Sequence, residues 1–497
     1  MTDAATYAPG SGTTINLSLI SHTNAGKTTL ARTLLGRDVG EVRDAAHVTE
    51  IATGYVLVQA DDDTLMLWDT PGFGDTARLL SRLKLAGNPI GWFLSQVWDR
   101  WRERPLWSSQ QAVKNARDEA DVILYLVNSA EDPASAAYVP LEMDVLGWVG
   151  KPIIVLLNQM GPPREDVSSE IARWQEIESS GLVRAILPLD AFARCWVQEA
   201  TLLEAVAPLL EPGKQPAMAG LRARWEELNL TRFDASMAVL GRYLARAAQD
   251  REAVEEPGWR GKLAASLTGQ GRENAAAGKA MGALGNRLAE ATTRSTDELI
   301  RLHGLSGKAA RQVLERVSND YAHAAKAPEG AAAALGGVVS GAVGGLAADL
   351  AAGGLTLGGG MIVGGILGAL GATGVAKGLN LARGEDGVTM RWSSDFLERL
   401  TVTALLRYLA VAHFGRGRGE WTEGEHPPFW HAIVDQAVAG RADDFRRLQA
   451  SVAKTPGPGS ASEQELTALL RECATVVLTR LYPVTPLRRL IRPDGQP

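Results

Sequence analysis

Through the first 210 residues, short apolar runs alternate with amphipathic stretches. The runs at 14–20, 55–60, 65–69, 121–128, 152–158 and 183–189 have strand length. Strands that alternate with helical-period segments predict an α/β domain with a mostly parallel sheet and helices on both faces. One hairpin is expected, at Asp61-Asp62-Asp63-Thr64, where turn-forming residues join two of the runs. Gly213-Lys214-Gln215-Pro216 reads as a linker. Past it the period changes to 3.6: 222–251, 275–325, 394–414, 431–452 and 463–482 carry apolar residues three and four apart, and strand signals are nearly absent. Residues 455–460, Thr-Pro-Gly-Pro-Gly-Ser, break the last two helices apart.

Glycine changes this picture. The chain has 53 glycines, and 16 of them fall among the 47 residues of 330–376, where Asp349 is the one charge. Gly337, Gly341 and Gly345, and again Gly360, Gly364 and Gly368, recur every fourth residue, which lays a flat stripe along a helix and lets a second helix approach closely. Two segments of about 22 residues could each cross a hydrocarbon core of roughly 30 Å. Lys326, Lys377 and Arg383 flank the pair and would keep both ends cytoplasmic. Against insertion stand the Gly/Ala composition and Asp349, which at a bilayer centre costs roughly 2.5 to 3.5 kcal/mol. Membrane association in some state is expected, with a hairpin buried between amphipathic helices as the alternative. The organisation is therefore an α/β domain over 1–212, a helical domain over 213–329, a Gly/Ala-rich hydrophobic hairpin over 330–376 and a C-terminal helical region over 377–497.

The strongest chemical signal is Ser21-His22-Thr23-Asn24-Ala25-Gly26-Lys27-Thr28-Thr29, directly after an apolar strand and before a helical run. Backbone N–H groups of such a loop curl round a polyphosphate at a helix N-terminus, Lys27 reaches the β and γ oxygens, and Thr28 ligates Mg²⁺. Ser21 stands where the usual pattern has its first glycine. A second element, Leu65-Met66-Leu67-Trp68-Asp69-Thr70-Pro71-Gly72-Phe73-Gly74-Asp75, is a strand ending in an acid followed by Pro-Gly. Asp69 would hold the metal through water, and the Gly72 N–H would approach the γ-phosphate, making the next segment a nucleotide-sensing switch.

Together the loop and the Asp-Thr-Pro-Gly motif resemble a translation-factor-class GTPase of the Era/TrmE/septin-like group. Over the whole chain the pattern is similar to a bacterial GTPase family with a C-terminal domain of unassigned function. The resemblance implies a P-loop fold binding GTP with Mg²⁺, and places the first switch threonine at Thr49, with Thr53 as rival. Phe73 occupies the place of the water-positioning Gln of Ras-like enzymes, so hydrolysis is expected to be slow without a partner or K⁺. Asn24 matches an Asn that helps bind K⁺ in the resembling proteins; the alternative is that it only stabilises the loop. For the base, Asn158 and Gln159 fall in the family's Asn-Lys-x-Asp motif, but Gly161 replaces its Asp, which leaves GTP ahead of ATP on the resemblance alone. Glu165 or Asp166 could substitute, and Asp190-Ala191 is a candidate last base loop.

Trp92, Trp98, Trp101 and Trp107 fall within sixteen residues directly after the switch. Aromatic anchors there read equally as a surface for a homodimer or partner protein and as an intramolecular contact. The length of 497 residues fits two or three domains. With 51 basic and 57 acidic residues, net −6, a nucleic-acid partner is not expected. Cys195 and Cys473 are too few for a disulfide framework or zinc site, and no signal peptide opens the chain, so a cytoplasmic protein is expected, peripheral to or inserted at the inner membrane's cytoplasmic face. The function implied is a GTP-hydrolysing switch that couples nucleotide state to membrane association of the hairpin. Its alternatives are a soluble Era-like RNA or ribosome assembly factor and a module that acts by nucleotide occupancy with little turnover.

Overall fold

The computed structural model describes residues 12–23, 25–36, 52–74, 76–83, 104–160, 168–175, 181–189, 195–254, 271–305, 379–384, 387–414, 428–454 and 459–482. The glycine-rich 330–376, Asn24, Thr49, Trp92, Trp98, Trp101, Gly161, Glu165, Asp166, Asp190 and Ala191 lie outside them. The described residues divide into two compact units, one running to Leu230 and including His413 and Phe414, the other made of Thr231 to Ala412 and the residues from Pro428 onward.

The first unit is a six-stranded sheet in the order β2-β3-β1-β4-β5-β6. Its strands are β1 (Thr14–Ser21), β2 (Thr53–Ala60), β3 (Asp63–Asp69), β4 (Val122–Asn128), β5 (Ile153–Asn158) and β6 (Val183–Pro188). All neighbours are parallel except β2 and β3, an antiparallel pair turned at Asp61-Asp62, with Asp61 at φ 49°. The continuous apolar runs of β4 and β5 follow from burial on both faces: six of seven and six of six residues are buried. Edge strand β2 is mostly exposed or half-buried. Helices α1 (Lys27–Leu35), α2 (Thr76–Leu83), α3 (Arg104–Asp118), α4 (Tyr138–Val149), α5 (Ser168–Gln175) and α6 (Trp196–Val206) accompany the sheet. Ile20, Phe73, Leu106, Val113, Tyr125, Met143, Leu146 and Ile153 share one core cluster. Order reverses at β1, which has β3 on one side and β4 on the other, so loops leaving the carboxyl ends there open a crevice at the switch point.

The expected linker at 213–216 is instead a helix start. Helix α7 (Gln215–Gln249) begins inside it with Pro216 near its first turn, where a missing N–H is harmless, and Lys214 donates to Asp121 at 2.8 Å and to the Thr14 carbonyl at 2.9 Å. Its residues up to Leu230 belong to the first unit and the rest to the second.

The second unit contains α8 (Gly271–Leu302), α9 (Ser394–Ala412), α10 (Pro428–Ala439), α11 (Ala442–Lys454) and α12 (Ala461–Leu481). Three differences from the sequence reading appear. The long helix expected over 275–325 ends at Leu302, where Gly304 takes φ 64°. The segment 431–452 is two helices, separated at Gly440-Arg441. Strands are also present: β7 (Arg251–Val254), β8 (Leu379–Gly384) and β9 (Gly387–Trp392) form an antiparallel sheet in the order β7-β9-β8. Among the described residues no helix is long and apolar enough to cross a membrane.

Candidate functional site

The site is built where β1 runs into α1 and β3 runs into α2. Gly26 sits at φ 89°, a left-handed conformation that suits glycine, and caps the N-terminus of α1. A Cβ there would lie 2.7 Å from Asn158 Nδ2, so both the angle and the space exclude a side chain. The loop is fastened from two directions. From β5, the buried Asn158 donates its Nδ2 to the Ala25 carbonyl at 2.8 Å. From the β3 side, Phe73 N donates to Ser21 O at 2.9 Å, Thr23 N donates to Phe73 O at 3.1 Å, and Thr23 Oγ1 adds a bond to Phe73 O at 2.6 Å.

Lys27 is buried and donates through Nζ to Ser21 Oγ at 2.9 Å. Burial pulls its ammonium down to about 8, opposed by the negative charges of Asp69 and Glu142. An ammonium held under the loop without full charge compensation is chemically suited to a polyanion. Thr28 Oγ1 donates to Asp69 Oδ2 at 2.7 Å, which joins the start of α1 to the end of β3 and brings a hydroxyl and a carboxylate together. Hard oxygen donors in that pairing fit Mg²⁺. Gly72 closes the cradle: an added Cβ would stand 2.9 Å from Thr23 Cα and 3.1 Å from Lys27 Nζ. Thr29 faces inward on α1 and is buried.

The structure thus brings Ser21, Ala25, Gly26, Lys27, Thr28, Asp69, Gly72 and Asn158 to one place. Gln159 follows Asn158 at φ 58°. Thr53, the rival to Thr49, opens β2 opposite Asp69. Phe73 points away from the loop's chemistry into the core, fully buried beside Ile20 and Val113. Of the four tryptophans, Trp107 is described, half-buried on α3.

Sequence reasoning missed Glu142. It is fully buried on α4 and accepts from His22 Nδ1 at 2.7 Å, Thr76 Oγ1 at 3.1 Å and Tyr125 OH at 2.7 Å. One signal was present: Glu142 falls on the stripe of Val139, Met143 and Leu146, all buried, which is the core face of α4.

Residues 16–159 match the family model described as 50S ribosome-binding GTPase, so this part of the chain is similar to GTP-binding GTPase domains. Residues 181–473 match the model described as a domain of unknown function, DUF3482. A search of the curated proteins finds no match. Among solved structures, a variant of Era from Aquifex aeolicus bound to GDP.AlF4- is 15% identical, covering 59% of this chain and 98% of that one, with a TM-score of 0.30. Era in complex with MgGDPNP and nucleotides 1506–1542 of 16S ribosomal RNA is 16% identical over 59% and 90%, with a TM-score of 0.29. NFeoB from S. thermophilus bound to mGMPPNP is 14% identical over 58% and 94%, with a TM-score of 0.22.

Proposed function

The chain belongs to the DUF3482 family, and from that premise we propose that its N-terminal α/β unit is a guanine-nucleotide switch, slow in hydrolysis, that acts through the region carrying the family match. The observation that carries this reading is the convergence of Lys27, Thr28, Asp69 and Gly72 around the Gly26 turn, with the Lys27 ammonium buried and drawn down to about 8.

In this reading the loop's backbone and Lys27 Nζ bind the β and γ phosphates, and Thr28 and Asp69 hold Mg²⁺, which when bound neutralises charge on the phosphate oxygens. Gly72 keeps the backbone after Asp69 close enough to Thr23 for its N–H to meet a γ-phosphate. Phe73, buried in the core, supplies no group to orient water, which supports slow turnover in the isolated protein. Asn24 is proposed to take K⁺ as a compensating charge, Thr49 to close on the metal in the triphosphate state, and Asn158 with Gln159 to flank the base. We also propose that the hairpin of 330–376, by its zipper spacing and single charge, associates with lipid at the inner membrane in one nucleotide state.

Equilibrium binding of fluorescent GDP, GTP and ATP to the full chain, with Lys27→Ala beside it, tests the core of this reading. Tight guanine binding that Lys27→Ala abolishes is the expected result. If the wild-type chain binds no nucleotide, or Lys27→Ala binds as well as wild type, the reading fails.

A further inference from the structure

Glu142 does something that no motif assigns. A carboxylate with no exposed surface is costly unless several donors share its charge, and here three donors from three segments do so. Tyr125 OH, from β4, holds Oε2. Burial, then Glu142 itself, pushes the Tyr125 phenol well above its usual range, which keeps it an O–H donor. Oε1 is shared by His22 Nδ1 and Thr76 Oγ1. The His22 ring is held from the other side by stacking on Tyr138 of α4, at 4.4 Å between centroids. His22 belongs to the phosphate loop, and Thr76 is the first residue of α2, two residues past Gly74 at the end of the Asp69-to-Gly74 segment. Two segments more than fifty residues apart therefore meet on one buried oxygen. Beside it, the backbone bonds between Phe73 and Ser21 and between Thr23 and Phe73 make a second link between the same segments.

We propose that Glu142 is a positioning residue that couples the phosphate loop, through His22, to the first turn of α2, through Thr76, so that a displacement of one segment is transmitted to the other. The proposal rests on the reading of the 21–28 loop as the nucleotide site. Backbone bonds at Phe73 hold the loop in either case; the Glu142 link extends the coupling to the helix.

The test uses the full chain and two readouts. Thr76→Val removes the hydroxyl at constant shape, Glu142→Gln removes the charge, and the double variant tests whether they act on one link. In the nucleotide-free protein, hydrogen–deuterium exchange of the α2 amides is expected to quicken about tenfold in each single variant, the low end for a lost hydrogen bond to a charged acceptor, and no further in the double. With GTP, kcat falls about tenfold while KM stays within twofold, and Thr76→Ser, which keeps the hydroxyl, restores both readouts. Unchanged α2 exchange in Thr76→Val, or effects that multiply in the double variant, overturns the proposal. Should Glu142→Gln fail to fold, Thr76→Val against Thr76→Ser decides it. A wild-type chain that binds no GTP would sink the nucleotide reading, while the exchange measurement would still decide whether Glu142 couples the two segments.

Discussion

Thr28 Oγ1 lies 2.7 Å from Asp69 Oδ2, a contact that spans 41 residues and fixes where the α1 hydroxyl and the β3 carboxylate can meet a cation. With a metal between them, the hydroxyl would turn its lone pair to the ion and the carboxylate would face it. Removing the Asp69 charge should therefore abolish metal dependence rather than nucleotide binding as such. For wild type, GDP affinity in Mg²⁺ is expected to exceed that in EDTA by about tenfold or more; for Asp69→Asn the two affinities should coincide at the EDTA value. Calorimetric titration in both buffers checks this, and an Asp69→Asn protein that keeps its Mg²⁺ response would contradict the assignment.

Lys27 gives a pH prediction. Its amine titrates near 8 in the fold instead of its ordinary 10.5. Below about pH 8 it is charged in the free protein and the phosphates meet an ammonium; above that the free protein holds a neutral amine, and binding must take up a proton. Nucleotide affinity should thus be flat below pH 8 and fall by up to about tenfold per pH unit above it. For the nucleotide-free fold the sign is opposite. Between about 8 and 10.5 the unfolded chain binds more protons at Lys27 than the folded one, so the Lys27 contribution makes stability rise with pH across that window. Nucleotide titrations of the wild-type chain at pH 7, 8 and 9 read the first dependence, and Lys27→Met should remove the second, read by unfolding of the nucleotide-free protein across about pH 8 to 10.

What the sequence made legible is what local geometry forces. The central strands β4 and β5 showed as unbroken apolar runs because both faces are covered, and Gly26-Lys27-Thr28 showed because a left-handed turn, a buried amine and a helix start all fall within three residues. The small sheet of the second unit stayed hidden for the converse reason. Strand β7 has four residues, Arg251-Glu252-Ala253-Val254, two of them charged, and its partner β9 lies more than 130 residues away, so no local pattern announces the pairing. The break at Gly440-Arg441 was masked because the apolar period of α10 continues into α11 with nearly the same phase. Glu142 was overlooked since a carboxylate inside an amphipathic helix normally faces water; only the tertiary positions of His22, Thr76 and Tyr125 make burial affordable.

Asn158, which the resemblance places beside the base, donates through its side-chain nitrogen to the phosphate loop at Ala25 O. Asn158→Ala leaves that carbonyl without this donor and opens space beside Gly26, where an added Cβ would have met the amide at 2.7 Å. The expected cost is about 1 to 3 kcal/mol of stability in the nucleotide-free protein, from a lost buried hydrogen bond, together with weaker binding of GDP and ATP alike. Thermal unfolding and parallel titrations measure the two effects. A selective loss of GDP binding with unchanged stability would instead assign Asn158 to the base alone.

In the second unit, Arg407 on α9 is almost wholly buried, and no carboxylate is paired with it among the described residues. Its Nη1 donates to Thr292 O at 3.0 Å, Ser295 Oγ at 2.9 Å and Thr296 Oγ1 at 3.0 Å, and its guanidinium lies 4.5 Å over the Tyr243 ring, while Nε and Nη2 find no hydrogen-bond partner among the described residues. Taking a charge out of water for three neutral acceptors is a poor exchange. Those acceptors do not depend on it either, since Ser295 Oγ and Thr296 Oγ1 each donate to Thr292 O within α8, at 2.9 and 2.8 Å. Replacing Arg407 by a flexible apolar chain of similar length therefore orphans nothing and removes the desolvated charge. Arg407→Met is expected to stabilise the second unit by about 1 kcal/mol, seen as a rise in its calorimetric transition temperature. A fall of several degrees would mean that the stacking on Tyr243 and the bonds to α8 outweigh the cost of burying the charge.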